Sequence, residues 1–381
     1  MTKQLKGYIF RMYPNTKQQQ LIEKSFGTSR YIYNYFLNKS IKNKNMNAYN
    51  TIKELPNLSK EKVWLKEVDS CLLRSGIFDL ENAYEKMYKE KKGFPKFKSK
   101  NRSRNSYRTN NITSMYKGKQ YESIKLDLER RIIKLPKLKE VNIRGYRKLK
   151  QINGRIINAT IYKEANRYYV SVCVEEEVIA PSFIPTSIIG IDVGIKDLVI
   201  TSEGKIYKSP KQIKKYEEKI KGLNKWLARA KVGSKNRYKI KKRLSRVYQK
   251  LKNSRKYYLH KISKELTEEH DMIVTENLKI TNMVKNKNLS KRIYDASWGE
   301  LLRQLEYKSR FQEKKLYKIE SYYPSTQICS HCGYRERKVK DLSIRSWECR
   351  ECHSLNERDI NASINIMFEG IKKYMEELQV S

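Results

Sequence analysis

The sequence lacks long hydrophobic runs and has few acidic residues, cysteines and histidines. No apolar run approaches the roughly 18 residues that a membrane-spanning helix needs. The N-terminal stretch MTKQLKGYIFRMYPN also has no apolar segment of the kind found in secretory signals. These absences argue against membrane and secreted proteins. We expect a cytoplasmic, nucleoid-associated protein of a prokaryote, with no membrane partner.

Acidic residues are scarce relative to basic ones. The 381 residues contain 83 Lys and Arg but only 41 Asp and Glu, which gives a formal net charge of +42. An excess of this size, spread along the chain, predicts a polyanionic partner, above all nucleic acid. The alternative is a lysine-rich surface that keeps the protein in solution, in a low-GC genome whose codons favour Lys, Asn, Ile and Tyr. The 28 tyrosines offer stacking faces for unpaired bases.

Four of the six cysteines form two Cys-x-x-Cys pairs separated by sixteen residues, Cys329/Cys332 and Cys349/Cys352. This spacing is typical of a four-thiolate zinc site, in which each pair supplies two ligands from one turn. Four protein ligands leave no open coordination position, so we expect one structural Zn²⁺. His331 and His353 are expected to be bystanders. A redox role for one pair is the weaker alternative.

The first half of the chain predicts a β domain interrupted by helices. A short strand pattern in residues 1–20 is followed by helical periodicity from Thr16 to about Lys44, which Gly27 should break, and by a second helical block from about Ser59 to Lys91. Short alternating runs between Ser123 and Glu177 indicate a small antiparallel barrel. The basic stretch 93–111 is either a solvated loop or a segment that grips a nucleic-acid backbone.

The second half places three acidic residues at the ends of predicted elements. Asp192 lies in the apolar run of a predicted hairpin at 187–207, Glu276 ends a short apolar strand, and Asp359 opens a helix after the last cysteine. A carboxylate in a buried strand is costly unless it is paired or binds metal; a role as a turn cap is the alternative for Asp192. Residues 208–270 predict a very basic antiparallel helical pair that either forms a solvated surface or lines a nucleic-acid channel.

Several motifs, in this order, resemble those of the TnpB family. These are transposon-encoded, OrfB-type RNA-guided DNA endonucleases, related to the compact type V CRISPR effectors. The resemblance covers almost the whole chain. It lies in FRMYPNTKQQQLIEKSFGTSRYIYN, GFPKFKSK with SYRT, IKLPKL, GIDVGIKDLVI, TENLKI, ASWGELLRQLEYKS, YYPSTQICSHCG, LSIRSWECREC and RDINASINI.

The resemblance implies a multidomain α+β and α/β fold. It implies a wedge-type β-barrel (1–20 and 99–182) with a helical recognition insert (21–98), followed by an RNase H-like RuvC nuclease domain (183–328 and 356–381). The zinc ribbon (329–355), which handles target nucleic acid, is inserted in the nuclease domain. Asp192, Glu276 and Asp359 would form the catalytic triad and hold two Mg²⁺ ions.

The resemblance also implies the partners. A guide RNA derived from the transposon end would pair with one strand of duplex DNA, and a monomeric ribonucleoprotein would read a short motif beside the target. The residues expected to read that motif, from their positions, are Tyr49, Ser70, Arg74 and Thr109. An ordinary packing or surface role is the alternative for these four residues.

This sequence departs from the family pattern at two places. His353 stands where glycine is usual after the fourth cysteine, and Asn356-Glu357 replaces His-Asp before Arg358-Asp359. Three other functions stay open: a compact type V CRISPR effector, a guide-directed regulator without nuclease activity, and a transposase. All three acids are present, which disfavours the regulator, and no separate recombination core is evident, which disfavours the transposase.

Overall fold

The computed structural model describes residues 2–42, 46–116, 119–145, 152–178, 184–195, 197–208, 212–283, 285, 290, 293–294, 296–341 and 343–380. The chain divides into two compact units, Thr2–Glu177 and Val178–Ser381, and each mixes helices with strands. The predicted linker at Ala180-Pro181 lies outside the described residues. No described helix combines the length and the apolar character that crossing a membrane requires.

The first unit is built on a seven-stranded sheet with the order β2-β8-β9-β1-β7-β6-β5. Alternate residues of β1 (Tyr8, Phe10 and Met12) are buried in its core, which is the period of two expected of a strand with one covered face. The strands that the sequence predicted between 123 and 177 are confirmed. Closure of the sheet into a barrel remains a prediction. The strands of this unit, including the separate hairpin β3–β4, are β1 Thr2–Tyr13, β2 Ser106–Asn110, β3 Thr113–Tyr116, β4 Lys119–Glu122, β5 Lys125–Asp127, β6 Ile132–Leu135, β7 Lys139–Arg144, β8 Arg155–Glu164 and β9 Arg167–Val178.

Helices occupy most of the chain between β1 and β2, as predicted, and they share the core of the sheet. They are α1 Thr16–Ser40, α2 Ala48–Ile52, α3 Leu55–Glu61 and α4 Ser70–Lys89, with a 3₁₀ turn at Val63–Glu67. The Asn15 side chain accepts a hydrogen bond from the Gln18 N–H, and the Gln18 side chain accepts one from the Asn15 N–H. This capping box fixes the start of α1.

Two predictions for these helices are wrong. The first helix is not broken at Gly27, because burial of Phe26 and Thr28 on either side outweighs the roughly 1 kcal/mol that a glycine costs a helix. The block predicted from Ser59 to Lys91 is divided, because the Asp69 carboxylate accepts a hydrogen bond from the Cys71 N–H and starts a new helix, α4, there.

The second unit contains a five-stranded sheet with the order β12-β11-β10-β13-β14. The first three strands are antiparallel neighbours, whereas β10, β13 and β14 run parallel. The antiparallel β10–β11 pair confirms the predicted hairpin. The elements up to β14 are β10 Ile188–Asp192, β11 Asp197–Thr201, β12 Ile206–Lys208, α5 Gln212–Arg229, α6 Lys235–Glu269, β13 Met272–Glu276, α7 Ile280–Met283, α8 Trp298–Phe311 and β14 Lys315–Ile319.

Helices cover both faces of this sheet. Ile189, Ile191 and Ile273 pack with residues of α6 and α8 on one face. Met272 and Val274 pack on the other face, with Ile366 and Tyr374 of the C-terminal helix α9, Arg358–Val380. Because side chains alternate along a strand, every second residue of β10 and β13 points towards α9.

The predicted basic helical pair is also confirmed, as α5 and α6. Ile213 and Ile220 of α5 pack with Leu251 of α6, and Arg237 at the start of α6 donates a hydrogen bond to the Ala230 carbonyl at the end of α5. The two helices therefore run antiparallel.

A small cysteine-bearing segment lies between β14 and α9. It contains a 3₁₀ turn at Arg337–Lys340 and the antiparallel pair β15 Ser346–Glu348 and β16 Leu355–Glu357. Its core consists of Cys329, Val339, Trp347 and Cys349.

Candidate active site and cysteine site

Two parallel strands bring Asp192 and Glu276 side by side. The register pairs Ile191 of β10 with Thr275 of β13, so the next residues along, Asp192 and Glu276, end neighbouring strands at the same edge of the sheet. Both lie in phase with residues that face α9: Asp192 with Gly190, and Glu276 with Val274. Strand alternation therefore directs both carboxylates to the α9 face.

Helix α9 delivers the third carboxylate, because Asp359 lies in its first turn. The helix sits unusually close to the sheet. A Cβ on Gly190 would lie 2.0 Å from the Ser363 carbonyl oxygen, and a Cβ on Gly370 would lie 2.3 Å from a Val274 methyl group. Only glycine allows this approach at the two positions. The positive end of the helix dipole also favours an anionic side chain at Asp359.

The three carboxylates influence one another electrostatically. Burial, together with the negative charges of Glu276 and Asp359, raises the pKa of Asp192 to about 7. Burial also raises the pKa of Glu276, and a hydrogen bond from the Ser325 hydroxyl (2.9 Å) partly offsets this effect. The sequence-predicted acids thus converge on one site, in which negative charge is poorly compensated without a cation.

Two arginines supply positive charge at this site. The Arg345 guanidinium lies 3.1 Å from an Asp359 carboxylate oxygen. Arg358 is buried, and its charge lowers the pKa of Asp192 and of the exposed Asp341. Its Nε and Nη1 atoms have no hydrogen-bond partner among the described residues. In the sequence, Arg358 is part of the RDINASINI motif, and its position directly before Asp359 is the signal that indicates a role at this site.

The four motif cysteines form a compact group of free thiols. Their sulfur atoms all lie within 4.8 Å of one another; Cys329 and Cys352 are 3.7 Å apart, and Cys332 and Cys349 are 3.6 Å apart. A tetrahedral zinc ion with Zn–S bonds of about 2.3 Å requires sulfur atoms about 3.8 Å apart. The residues present therefore fit a zinc ion, and no histidine belongs to the group among the described residues.

The surroundings favour ionisation of some of these thiols and oppose it in another. Although burial opposes ionisation, hydrogen bonds from the Ser354 hydroxyl and from the Cys332 and His331 N–H groups lower the pKa of Cys329 to about 5. Despite a hydrogen bond from the Tyr334 N–H, burial and the hydrogen bonds with the other three thiols raise the pKa of Cys332 to about 12. Asn356, at one of the two departures from the family pattern, is buried with its amide nitrogen 3.7 Å from the Cys329 sulfur. A deprotonated sulfur is the form that binds a metal ion.

The backbone at His353 explains why glycine is usual after the fourth cysteine. His353 has a φ of 55°, and Gly333, which follows the second cysteine in the same way, has a φ of 80°. Both residues lie in the left-handed region that favours glycine. His353 tolerates this conformation and pairs with Glu348 at 3.1 Å.

The carboxylates are less tightly gathered than the cysteines. Within the part of the chain that the structure describes, only the cysteines bring three or more potential metal-ligating atoms within 4.8 Å of one another. Like charges repel at close range, so carboxylates without a cation are expected to stand further apart than they would around one.

The residues expected to read a DNA motif lie in the first unit, around α4. Ser70 and Arg74 are exposed, one helical turn apart. Tyr49 is 71% exposed, and its ring forms a T-shaped pair with Phe78 at a centroid distance of 5.7 Å. Thr109 differs from the others, because it is buried and its hydroxyl donates to Asp69, the N-cap of α4. Burial favours a structural role for Thr109, whereas the other three are accessible.

Comparison with protein families gives three matches along the chain. Residues 171–287 match a family described as "Probable transposase" (OrfB_IS605), residues 298–366 match a "Cas12f1-like, TNB domain", and residues 1–46 match a "Helix-turn-helix domain" of OrfB_IS605 proteins. The described part of 1–46 forms strand β1 and helix α1, so the last description does not match the local fold found here.

Individual relatives span nearly the whole chain. A "Putative RNA-guided DNA endonuclease" of Streptomyces pristinaespiralis is 28% identical over 97% of this chain and 91% of its own length. InsQ of Escherichia coli (strain K12), which carries the same description, is 28% identical over 97% and 93%. Among solved structures, a Cas12f1–sgRNA–target DNA complex covers 96% of this chain and 99% of its own, with a TM-score of 0.57 and 12% identity. That structure supports a similarity of fold alone.

Proposed function

Because this chain belongs to the OrfB-type TnpB family, we propose that it is an RNA-guided DNA endonuclease that cuts both strands of duplex DNA with one active site. The observation that carries the proposal is the convergence of Asp192, Glu276 and Asp359 at one edge of the five-stranded sheet. The descriptions of the two relatives above agree with this activity.

The strand order supports an RNase H-like RuvC domain. Three antiparallel strands followed by two parallel ones, with helices on both faces, build the sheet. The acids lie at the carboxyl ends of its central strands and in the first turn of α9. In the proposed division, this domain comprises 183–328 and 356–381, and the zinc ribbon 329–355 is inserted in it. A wedge-type barrel (1–20 and 99–182) with a helical insert (21–98) precedes them.

The carboxylate site fits two Mg²⁺ ions. Its donors are carboxylate oxygens, which Mg²⁺ prefers. The pKa of Asp192 is raised by burial and by the charges of Glu276 and Asp359, and a bound cation would offset both effects. Bound Mg²⁺ would supply an activated water and charge neutralisation at the leaving 3′-oxygen. The chain itself provides the three carboxylates, the Ser325 hydroxyl that orients Glu276, and the buried positive charge of Arg358 beside them.

A structural Zn²⁺ would be held by Cys329, Cys332, Cys349 and Cys352. The spacing of the four sulfur atoms supports this assignment. Four thiolates leave no position for substrate. Zinc therefore would hold the ribbon in shape and take no part in hydrolysis.

The basic helices α5 and α6 support a guide RNA and a DNA target as partners. Residues 219–264 contain eighteen lysines and arginines and no acidic residue. Aromatic rings are exposed on the same helices, at Trp226 (55%), Tyr238 (63%) and Tyr257 (75%). Cations contact phosphates and exposed rings stack on bases, so this surface suits a polynucleotide better than a folded protein.

In the proposed complex a single copy of the chain carries a guide RNA derived from the transposon end. The guide pairs with the target strand in the nucleoid of a prokaryote. Tyr49, Ser70, Arg74 and Thr109 are the residues proposed to read a short motif beside the target, and Thr109 would do so only by shaping the start of α4.

A compact type V CRISPR effector is the nearest alternative, because its chemistry would be the same. The neighbourhood of the gene separates the two: a transposon end supports the proposal, and a repeat array supports the alternative. The description "Probable transposase" names a third function for that family. Excision of the element by this protein, in a cell without any other transposase, would support that function instead.

The proposal is tested with the protein, its co-purifying RNA and a DNA duplex matched to that RNA. The wild type should cut the matched duplex in Mg²⁺ and leave an unmatched duplex intact. Target binding without any cutting would favour the guide-directed regulator, and cutting that ignores the match between RNA and DNA would contradict guidance.

A further inference from the structure

The segment 325–330, which leads from β14 to the first cysteine pair, is fastened to α9 by two buried asparagines. The Asn365 side-chain amide donates to the Ser325 carbonyl (2.8 Å) and to the Ile328 carbonyl (2.6 Å). The Asn361 amide donates to the same Ile328 carbonyl (2.7 Å), and its oxygen accepts from the Ser330 N–H (2.8 Å). The two asparagines are four residues apart and share one face of α9.

This set of hydrogen bonds has a cysteine pair at one end and a triad acid at the other. Ser330 directly follows Cys329, so the Asn361 bond holds the backbone of the first cysteine turn. At the other end, the Ser325 hydroxyl donates to a Glu276 carboxylate oxygen at 2.9 Å. Ser325, Asn361 and Asn365 are at most 4% exposed, so water does not compete effectively for these bonds.

The side-chain chemistry indicates more than general packing. A buried asparagine is costly unless its amide is satisfied, and both asparagines use their amides on the backbone of this one segment. The segment then carries the hydroxyl that orients Glu276. A continuous set of hydrogen bonds therefore connects the backbone beside Cys329, through Asn361 and Asn365 of α9, with the Glu276 carboxylate.

We propose that Asn361, Asn365 and Ser325 form a latch through which the cysteine site positions Glu276. They are positioning residues for the divalent-metal site, and the inference rests on the proposed function. With zinc bound, the first cysteine turn would hold 325–330 against α9, and Ser325 would fix the Glu276 carboxylate. The segment 325–330 is held at one end by the cysteine turn and along α9 by the two asparagines. Without zinc it would lose the hold of the cysteine turn, and the Glu276 carboxylate would no longer be fixed in direction.

The test measures binding of Mn²⁺ to the full-length protein, purified free of nucleic acid, by titration calorimetry. The variant Ser325→Ala removes the hydrogen bond to Glu276, and Asn365→Ala removes the two hydrogen bonds to the Ser325 and Ile328 carbonyls. Hydrogen-bond partners of metal ligands typically contribute about 10–100-fold in metal affinity, and we expect Mn²⁺ affinity to fall by about that factor. Ser325→Thr keeps the hydroxyl and should restore most of the affinity.

Ser363→Ala is the matched control. Ser363 is fully buried on the same helix, but among the described residues its hydroxyl bonds only within its own helix, to the Ile360 carbonyl at 2.7 Å. The Mn²⁺ affinity of the Ser363→Ala variant should equal that of the wild type.

A second experiment uses Cys352→Ser, which should lose zinc. This variant should weaken Mn²⁺ binding about as much as Asn365→Ala does, although no cysteine contacts the carboxylates.

The outcomes separate this inference from the proposed function. Asp192→Ala is measured alongside. Mn²⁺ binding that Asp192→Ala leaves unchanged would contradict the carboxylate metal site, and with it the proposed function. Binding that depends on Asp192 but is unaffected by Ser325→Ala would overturn the latch alone. If Asn365→Ala unfolds, Ser325→Ala decides, because it removes a single hydroxyl.

Discussion

Replacement of Gly190 by alanine should separate α9 from the sheet and so disable the active site. A Cβ at this position would lie 2.0 Å from the Ser363 carbonyl oxygen and 2.8 Å from the Met367 nitrogen. Real contacts of this kind need about 3.2 Å or more, so α9 must recede by about 1.2 Å. Both obstacles are backbone atoms of a packed helix and cannot rotate away.

The expected cost is large for a single methyl group. Overpacking a well-ordered core typically costs about 1–3 kcal/mol, and we expect the upper end of that range for Gly190→Ala. Because Asp359 moves with α9, the active site is misplaced by about 1 Å, which can lower a reaction rate about 100-fold. Urea unfolding measures the first effect, and single-turnover cleavage of matched DNA measures the second.

Gly222→Ala is the control for this substitution. Gly222 lies within α5, and a Cβ there would meet nothing within 4 Å. Alanine should therefore stabilise the protein by up to about 1 kcal/mol through helix propensity alone. If Gly190→Ala unfolds at the wild-type urea concentration and cuts at the wild-type rate, the close approach of α9 to β10 described above is wrong.

Three further predictions concern other parts of the chain. Burial, with the charges of Lys308 and Lys256, lowers the pKa of His260 to about 4, so the unfolded chain binds this proton at a higher pH than the folded chain does. The contribution of His260 to stability should therefore fall by up to about 2 kcal/mol between pH 6.5 and 4. The raised pKa of Asp192 acts in the opposite sense over this range, so urea unfolding at both pH values compares the wild type with His260→Gln, and equal changes in the two proteins would contradict the prediction. Gly333→Ala should destabilise the cysteine segment by about 1 kcal/mol, because the φ of 80° at this position disfavours a side chain; equal thermal stability would contradict this. Neutralising three basic side chains of α6 should reduce the slope of log K for RNA binding against log salt concentration by up to about 2–3. An unchanged slope would mean that the RNA binds elsewhere.

The parts of the site that were predicted from the sequence are those with local signals. Asp192 and Glu276 end short apolar strands, and the cysteines occur in pairs whose spacing is itself a ligand pattern. Family motifs then joined these separate signals into one site. The parallel pairing of β10 and β13 agrees with that grouping.

The rest of the site depends on contacts between residues far apart in the chain. Ser325 and Glu276 are separated by 49 residues, and Asn365 and Ser325 by 40. No periodicity or spacing rule reports such pairs, and a buried asparagine cannot be distinguished from an exposed one in sequence. The break in the second helical block was missed for a different reason. An Asp N-cap is a local signal, and the apolar periodicity on either side of Asp69 concealed it.

The most direct test of the single carboxylate site compares Asp192→Ala with Glu203→Ala in cleavage and in binding of matched DNA, each with the guide RNA bound. Glu203 is an exposed acid in the turn after β11, and its substitution should leave both properties unchanged. Asp192→Ala should still bind the matched DNA but cut neither strand. Cleavage of either strand by Asp192→Ala at the wild-type rate would contradict a single active site built on these three carboxylates.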